Sequence, residues 1–324
     1  MKIVVLDGYA LNPGDISWDV VKQYGNLEIY DRTGYDLGSQ PLVVERARGA
    51  EVLLTNKTPV TSEAMDQLPD LRYIGVLATG YNIVDVKAAK EKGIIVANIP
   101  TYGTAAVAQM AVALMLEMCH HAGRHSDAVY QGEWTSHPDW SFWKYPLIEL
   151  DGKTMGIIGF GRIGQATARV AQALGMNVVV HTPHPNFDLQ TDTLIFCDLD
   201  ELLEKSDFIS LHCPLNDSTK GVINRNSIAK MKHSVRIINT SRGLLIEEED
   251  LAEALNNGTV AGAALDVVSE EPIKKDNPLL RAPNCLITPH ISWAPIEARR
   301  RLMQLAAENL DRFLSGDPIN VVNG

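Results

Sequence analysis

A two-domain α/β fold built on doubly wound parallel sheets is what this sequence predicts, on three observations. Its β-branched segments are short and unbroken in their apolar character, they are separated by stretches long enough for a crossover helix, and the alternation begins twice. A strand inside a parallel sheet is covered on both faces, so it reads as a continuous apolar run and not as an alternating one. With 324 residues, of which 45% are hydrophobic and 21% charged, the chain has ample material for two cores.

The first series of strand-like runs is residues 3–6, 51–55, 73–77 and 94–98. Residues 104–123 (TAAVAQMAVALMLEMCHHAG) are rich in Ala, Leu and Met with no Gly or Pro inside, which predicts one long buried helix linking two domains. Residues 132–146 (GEWTSHPDWSFWKYP) then crowd three Trp, one Phe and one Tyr into an irregular segment. That segment reads either as a subunit arm or as a loop folded onto its own domain. The second series is residues 155–158, 177–181, 207–211, 235–239, 261–265 and 285–288. The amphipathic stretch 295–315 lies beyond the last of these strands and is expected to return to the first domain, making it discontinuous. The expected division is therefore residues 1–101 plus 291–324 and residues 102–290.

Twenty-nine Lys and Arg stand against 40 Asp and Glu, a net charge of −11, so no global positive field exists to hold nucleic acid or an anionic membrane, and neither is expected as a partner. A small anionic ligand would need a local cationic pocket. Cys119, Cys197, Cys213 and Cys285 form no C-x-x-C pair, which fits neither a disulfide framework nor a structural zinc site and points to reduced thiols in the cytoplasm. The N-terminus reaches Asp7 after only four apolar residues, and no apolar run of about 18 residues follows, so a soluble, untargeted protein is expected.

Directly after the run 155–158 comes Gly159-Phe160-Gly161-Arg162-Ile163-Gly164, followed by a helical pattern and a second strand. In a G-x-G-x-x-G so placed, the first glycine permits the tight turn, the second lets the backbone approach a pyrophosphate, and the third lets helix and strand pack closely. The helix N-terminus adds unpaired N–H groups and a partial positive charge, so this segment predicts a dinucleotide site. An Asp or Glu at the end of the second strand would accept hydrogen bonds from an adenosine ribose, but the chain reads His181-Thr182-Pro183-His184. Thr182 removes the carboxylate that would repel a 2′-phosphate, and no Arg follows to attract one, so NAD and NADP both stay open.

Three polar residues fall where strands of the second series end, at the carboxyl edge where open α/β sheets bind ligands: Arg242, Glu271 and His290. Their segments, IINTSRG, GAALDVVSEEP and LITPHISWAP, together with GFGRIG, resemble in order and spacing the D-isomer-specific 2-hydroxyacid dehydrogenases over nearly the whole chain. The resemblance implies a Rossmann-type dinucleotide-binding domain and a discontinuous flavodoxin-like substrate domain. It implies that Arg242 holds the carboxylate and carbonyl of a small 2-oxo acid, that His290 donates the proton, and that Glu271 hydrogen-bonds the imidazole.

The same division of labour follows from the chemistry. Reducing a 2-oxo acid takes a hydride from nicotinamide C4, a proton for the developing alkoxide and a fixed cation for the carboxylate. Arg offers a planar fork that stays charged, and a carboxylate beside an imidazole favours its protonated form. Taken singly, each residue has a plainer explanation: a surface ion pair for Arg242, one acid among several for Glu271, a satisfied core histidine for His290. Their joint placement at strand ends favours catalysis.

The resemblance extends to further positions. Thr79 and Gly80, after the third strand of the first series, would offer backbone N–H groups to the substrate carboxylate, and Asp266 would contact the nicotinamide carboxamide. Thr104 would touch the nicotinamide half, although capping its helix explains it equally well. Cys213, Pro214 and Thr219 would lie along the adenosine and phosphate side, with Thr240 and Ser241 also lining the cofactor. Trp293, in HISWAP, resembles the glycerate dehydrogenase and hydroxypyruvate or glyoxylate reductase branch more than the lactate branch, and an indole there would limit pocket volume. A homodimer is expected.

Two plainer readings concern other clusters. His121 and His125, with His120 beside them, are spaced for a metal but have no carboxylate or Cys at ligand spacing, so no metal is expected. The acidic run Glu247-Glu248-Glu249-Asp250 opens a predicted helix and suits the positive end of its dipole. The competing functional readings are a dehydrogenase for another acid such as D-lactate, and a non-enzymatic, corepressor-like NAD(H) sensor.

Overall fold

Five parallel strands make the first sheet: β1 (Lys2–Val5), β2 (Asn26–Ile29), β3 (Val52–Thr55), β4 (Tyr73–Val76) and β5 (Ile95–Ala97), in the order β2-β1-β3-β4-β5. Seven make the second: β6 (Thr154–Ile158), β7 (Asn177–His181), β8 (Leu194–Phe196), β9 (Phe208–Leu211), β10 (Arg236–Asn239), β11 (Gly262–Leu265) and β12 (Cys285–Ile287), in the order β12-β11-β10-β9-β6-β7-β8. The computed structural model describes all of Met1–Gly324. The chain divides into two compact units, Met1–Gly103 with Trp293–Gly324, and Thr104–Ser292.

In the first unit, β1 is paired on both sides, Val5 standing opposite Ile29 and Leu54. The central strands β3 and β4 are buried at every position, which is why they read as unbroken apolar runs. Val4, Leu6, Leu53, Ile74 and Val96 carry this core, each worth roughly 1.5–3 kcal/mol of burial. The order 2-1-3-4-5 is the flavodoxin-like one, with its switch point between β1 and β3. There Asp7, 1% exposed, accepts from the backbone N–H groups of Asn56 (2.7 Å), Lys57 (2.6 Å) and Thr58 (2.8 Å), which fastens the loop after β3 to the end of β1. The helix Ile296–Leu314 belongs to this unit; Arg299 makes two bonds to Asp15 (2.7 and 2.6 Å), and Phe313 packs on Tyr73 at 4.8 Å between ring centroids.

The second unit is all parallel, and counted from β6 its order is that of the doubly wound dinucleotide-binding sheet with one further strand. Ala111, Leu114 and Met115 of the helix Thr104–His120 join Met155, Ile157, Ala168 and Ala171 in one core. The expectation of a single helix over 104–123 is corrected. The helix stops at His120, His121 takes a left-handed conformation (φ 47°), and a second helix, Ala122–Tyr130, leaves at 54°. The carbonyls of His120 and His121 both accept from His125 Nδ1 at 3.0 Å, which satisfies the chain at the break without Gly or Pro. No single helix is long and apolar enough to cross a membrane.

Candidate active site

The glycine loop joins β6 to the helix Arg162–Ala173. Gly159 has φ 95°, and a Cβ there would lie 2.5 Å from Cys213 N, so both conformation and space demand glycine. Gly164 is demanded by packing, since its Cβ would meet the Gly159 carbonyl oxygen at 2.3 Å. Gly161 differs from both: its φ of −72° suits any residue, and a Cβ would meet nothing within 4 Å. Nothing in the chain requires a glycine there, whereas a ligand lying against the backbone would. Exposed Gly161 also leaves the helix without a side-chain cap, so its first-turn N–H groups point outward beside exposed Arg162 and half-buried Ile163.

Other strand ends border this loop. Thr240, 7% exposed after β10, has an Oγ1 with no hydrogen-bond partner in the chain, a vacant valence at the edge where a dinucleotide would lie. Ser241 N is held by Asn239 Oδ1 at 2.9 Å. After β9, Cys213 is buried and Pro214 exposed, and Thr219 closes their loop by donating to the Pro214 carbonyl oxygen (2.6 Å) and accepting from Asn216 N (2.9 Å). Thr182 is half-buried at the end of β7, next to exposed Pro183 and His184. Residues 159–164, Thr240 and the loop 213–219 thus fit a dinucleotide phosphate chain.

His212, beside this loop, was not singled out by the sequence reading. Its Nε2 is 2.8 Å from Ser210 Oγ, its Nδ1 is buried without a partner, and burial pushes its pKa down to about 4, so it is neutral at pH 7. It directly precedes Cys213, but nothing in the spacing distinguished it from a loop histidine.

Two of the three strand-end polar groups meet directly: Glu271 Oε2 lies 2.6 Å from His290 Nδ1, and the side chains are 36% and 27% exposed. Val268 N donates to the other oxygen, Oε1, at 3.3 Å. A proton on Nδ1 facing the carboxylate leaves Nε2 to face outward. His290 itself has φ 54°, and the loop that carries it is fastened by Asp266. Asp266 is 1% exposed; Oδ1 accepts from Thr288 Oγ1 (2.6 Å) and Ile291 N (2.9 Å), and Oδ2 from Ser292 N (2.8 Å).

Arg242 is exposed and donates from Nη1 to the Ser241 carbonyl oxygen at 2.8 Å. Its own carbonyl oxygen accepts from Asn239 Nδ2 at 2.8 Å. The next residue, Gly243, presses so closely on the loop of Glu271 that a Cβ would lie 1.9 Å from Val268 C. Arg242, Glu271 and His290 therefore belong to one knitted edge of the second sheet.

In the first unit, exposed Thr79 donates from Oγ1 to the Ile99 carbonyl oxygen (2.8 Å), and its own carbonyl oxygen accepts from Asn98 Nδ2 (2.7 Å), which shapes the turn with half-buried Gly80. Trp293, half-buried, opens the second segment of that unit. Thr104 is the first residue of the helix Thr104–His120 and is half-buried. His125 has both ring nitrogens engaged, Nδ1 as above and Nε2 accepting from Lys144 N at 3.1 Å.

Comparison with known proteins shows the family. Residues 112–292 match the family described as D-isomer specific 2-hydroxyacid dehydrogenase, NAD binding domain. The chain is 59% identical over 323 residues to a hydroxypyruvate reductase of Blautia hydrogenotrophica, covering 100% of both, and 40% identical to a glycerate dehydrogenase of Methylorubrum extorquens, covering 99% of this chain and 98% of that one. An acyclic imino acid reductase solved in complex with NADPH and D-arginine superposes with a TM-score of 0.83 at 30% identity, over 99% of this chain and 100% of that chain. The chain belongs to the D-isomer-specific 2-hydroxyacid dehydrogenase family. It is an NAD(P)-dependent oxidoreductase acting between a small hydroxy acid and its oxo acid.

Proposed function

We propose that this enzyme reduces hydroxypyruvate to glycerate, with glyoxylate a poorer substrate, and that Arg242, Glu271 and His290 carry the reaction. The observation that bears most weight is the 2.6 Å contact between Glu271 Oε2 and His290 Nδ1, which leaves Nε2 available to a ligand. The names of the relatives at 59% and 40% identity support the choice of substrate.

In this reading the bound nicotinamide supplies the hydride to the carbonyl carbon. Arg242 holds the substrate carboxylate through the part of its fork not engaged by Ser241. Imidazolium His290 gives its Nε2 proton to the carbonyl oxygen as negative charge gathers there, and the Glu271 carboxylate stabilises the cation beforehand. Thr79 and Gly80 offer backbone N–H groups to the same carboxylate, and Trp293 limits the size of the group at C3. Residues 159–164, Thr182, Thr104, Cys213, Pro214, Thr219, Thr240, Ser241 and Asp266 hold the cofactor or line its place.

The experiment is steady-state kinetics with NADH and NADPH against hydroxypyruvate, glyoxylate and pyruvate, followed by nicotinamide absorbance. Hydroxypyruvate is expected to give the highest kcat/KM. Cofactor binding without turnover of any 2-oxo acid would support the sensor reading instead.

The protein is further read as a cytoplasmic homodimer. Supporting the dimer, Tyr130 and Trp140 are 88% and 87% exposed, and Trp143, 68% exposed, joins Val129, Trp134, Phe142 and Leu147 in lining a largely apolar hollow of about 330 Å³. Trp140→Glu with Trp143→Glu should convert a dimer to a monomer in light scattering; a monomeric wild type would contradict this. Supporting the compartment, all four cysteines are free.

A further inference from the structure

Acids in the first turn of the helix Glu248–Asn256 suit the positive end of its dipole, and for Glu249 that account suffices. Asp250 pairs with Arg225. Glu248 does something else. Its carboxylate turns to the loop that follows β11: Oε1 accepts from Ser269 N at 2.7 Å, and Oε2 accepts from Ser269 Oγ at 2.7 Å and from Asn277 Nδ2 at 2.9 Å.

Ser269 and Asn277 bracket Glu271, and the residue before Ser269, Val268, donates to Glu271 Oε1. Three donors on one carboxylate are charge-assisted bonds, among the stronger ones an exposed loop can have. The same short stretch is where Gly243, adjacent to Arg242, closes on Val268 and Ser269, a Cβ there falling 2.4 Å from Ser269 N. The Glu248 clamp thus acts where the guanidinium-bearing turn and the carboxylate-bearing loop touch.

We propose that Glu248 is a positioning residue for the reaction: by holding Ser269 and Asn277 it keeps Glu271 against His290. The proposal rests on the reading of Arg242, Glu271 and His290 as the reacting groups. Releasing the clamp lets the Glu271 loop drift, and a misplacement of about 1 Å costs up to roughly 10²-fold in rate. Substrate and cofactor contacts stay in place.

The test compares Glu248→Ala, Glu248→Gln, the double variant Ser269→Ala with Asn277→Ala, and Glu249→Ala, in the full-length enzyme. Glu248→Ala should lower kcat about tenfold or more while KM for hydroxypyruvate and the Kd of NADH, read by fluorescence, stay within about twofold. Glu248→Gln keeps an acceptor for Ser269 N and should recover most of kcat, and Glu249→Ala, which loses the dipole interaction but no loop bond, should match wild type.

Should Glu248→Ala fail to fold, the double variant, which removes two of the three bonds, should give the same split in smaller measure. An unchanged kcat in either folded variant, with or without a lower melting temperature, would overturn the proposal. A wild type inactive on every 2-oxo acid would overturn the reading beneath it instead, so the two failures are distinguishable.

Discussion

Asp266 Oδ2 accepts the backbone N–H of Ser292 at 2.8 Å, a bond that spans 26 residues and closes the loop carrying His290 onto the end of β11. The other oxygen accepts from Thr288 and Ile291, and His290 N donates to the Asp266 carbonyl oxygen at 2.9 Å, so one residue holds the histidine's whole turn from both sides. The left-handed φ of 54° at His290 is sustained by these bonds.

Asp266→Ala should therefore lose both stability and rate. It strands two backbone N–H groups and a hydroxyl, at a cost on the order of 3 kcal/mol, and frees the His290 loop. Asp266→Asn retains an acceptor oxygen and should fall between. Thermal unfolding and kcat measure the two effects; a full wild-type kcat in a folded Asp266→Ala variant would separate this carboxylate from the chemistry.

Arg242→Lys tests the fork. An ammonium keeps the charge but cannot present two parallel N–H groups, so KM for hydroxypyruvate should rise and kcat fall, with kcat/KM down roughly 10²-fold or more. Unaltered kinetics would remove Arg242 from the mechanism.

Glu271→Gln separates charge from orientation. The amide oxygen can still accept from His290 Nδ1, so the ring keeps its place, but the charge that favours the imidazolium is gone. The rate of reduction should fall about tenfold or more while KM changes little. An unchanged kcat would mean that the Glu271 charge plays no part in the reaction.

His212 gives a prediction in acid. Its folded pKa of about 4 lies below the ordinary 6.5, so as pH falls the unfolded chain takes up this proton first. The group contributes nothing above pH 6.5 and destabilises the fold progressively as pH drops from about 6.5 toward 4, with a slope of up to about 1.4 kcal/mol per pH unit. His212→Asn should flatten the pH dependence of unfolding free energy in that window; an identical slope in both proteins would mean that His212 is solvated.

The fold was legible where burial imposed it. β3, β4, β9 and β11 are covered at every position and could be read as apolar runs. β2 (NLEI) escaped because it is a half-exposed edge strand whose apolar residues alternate with polar ones, and β8 (LIF) because an edge strand of three residues is too short to stand out as a run. The break at His121 carried no Gly or Pro, since a histidine side chain four residues on satisfies the carbonyls instead. At the site, chemistry-bearing residues at strand ends stood out in the sequence, but their supports did not. The work of Glu248 was hidden in a run of acids that helix electrostatics already explained, and the bonds of Asp266 to Thr288, Ile291 and Ser292 join residues too far apart for any spacing rule.

The central claim, that His290 is the proton donor, is tested most directly by single-turnover reduction of hydroxypyruvate by NADH-loaded His290→Gln. The account predicts a wild-type Kd for NADH and a reduction rate lower by about 10²-fold or more. A rate within a few-fold of wild type would contradict it.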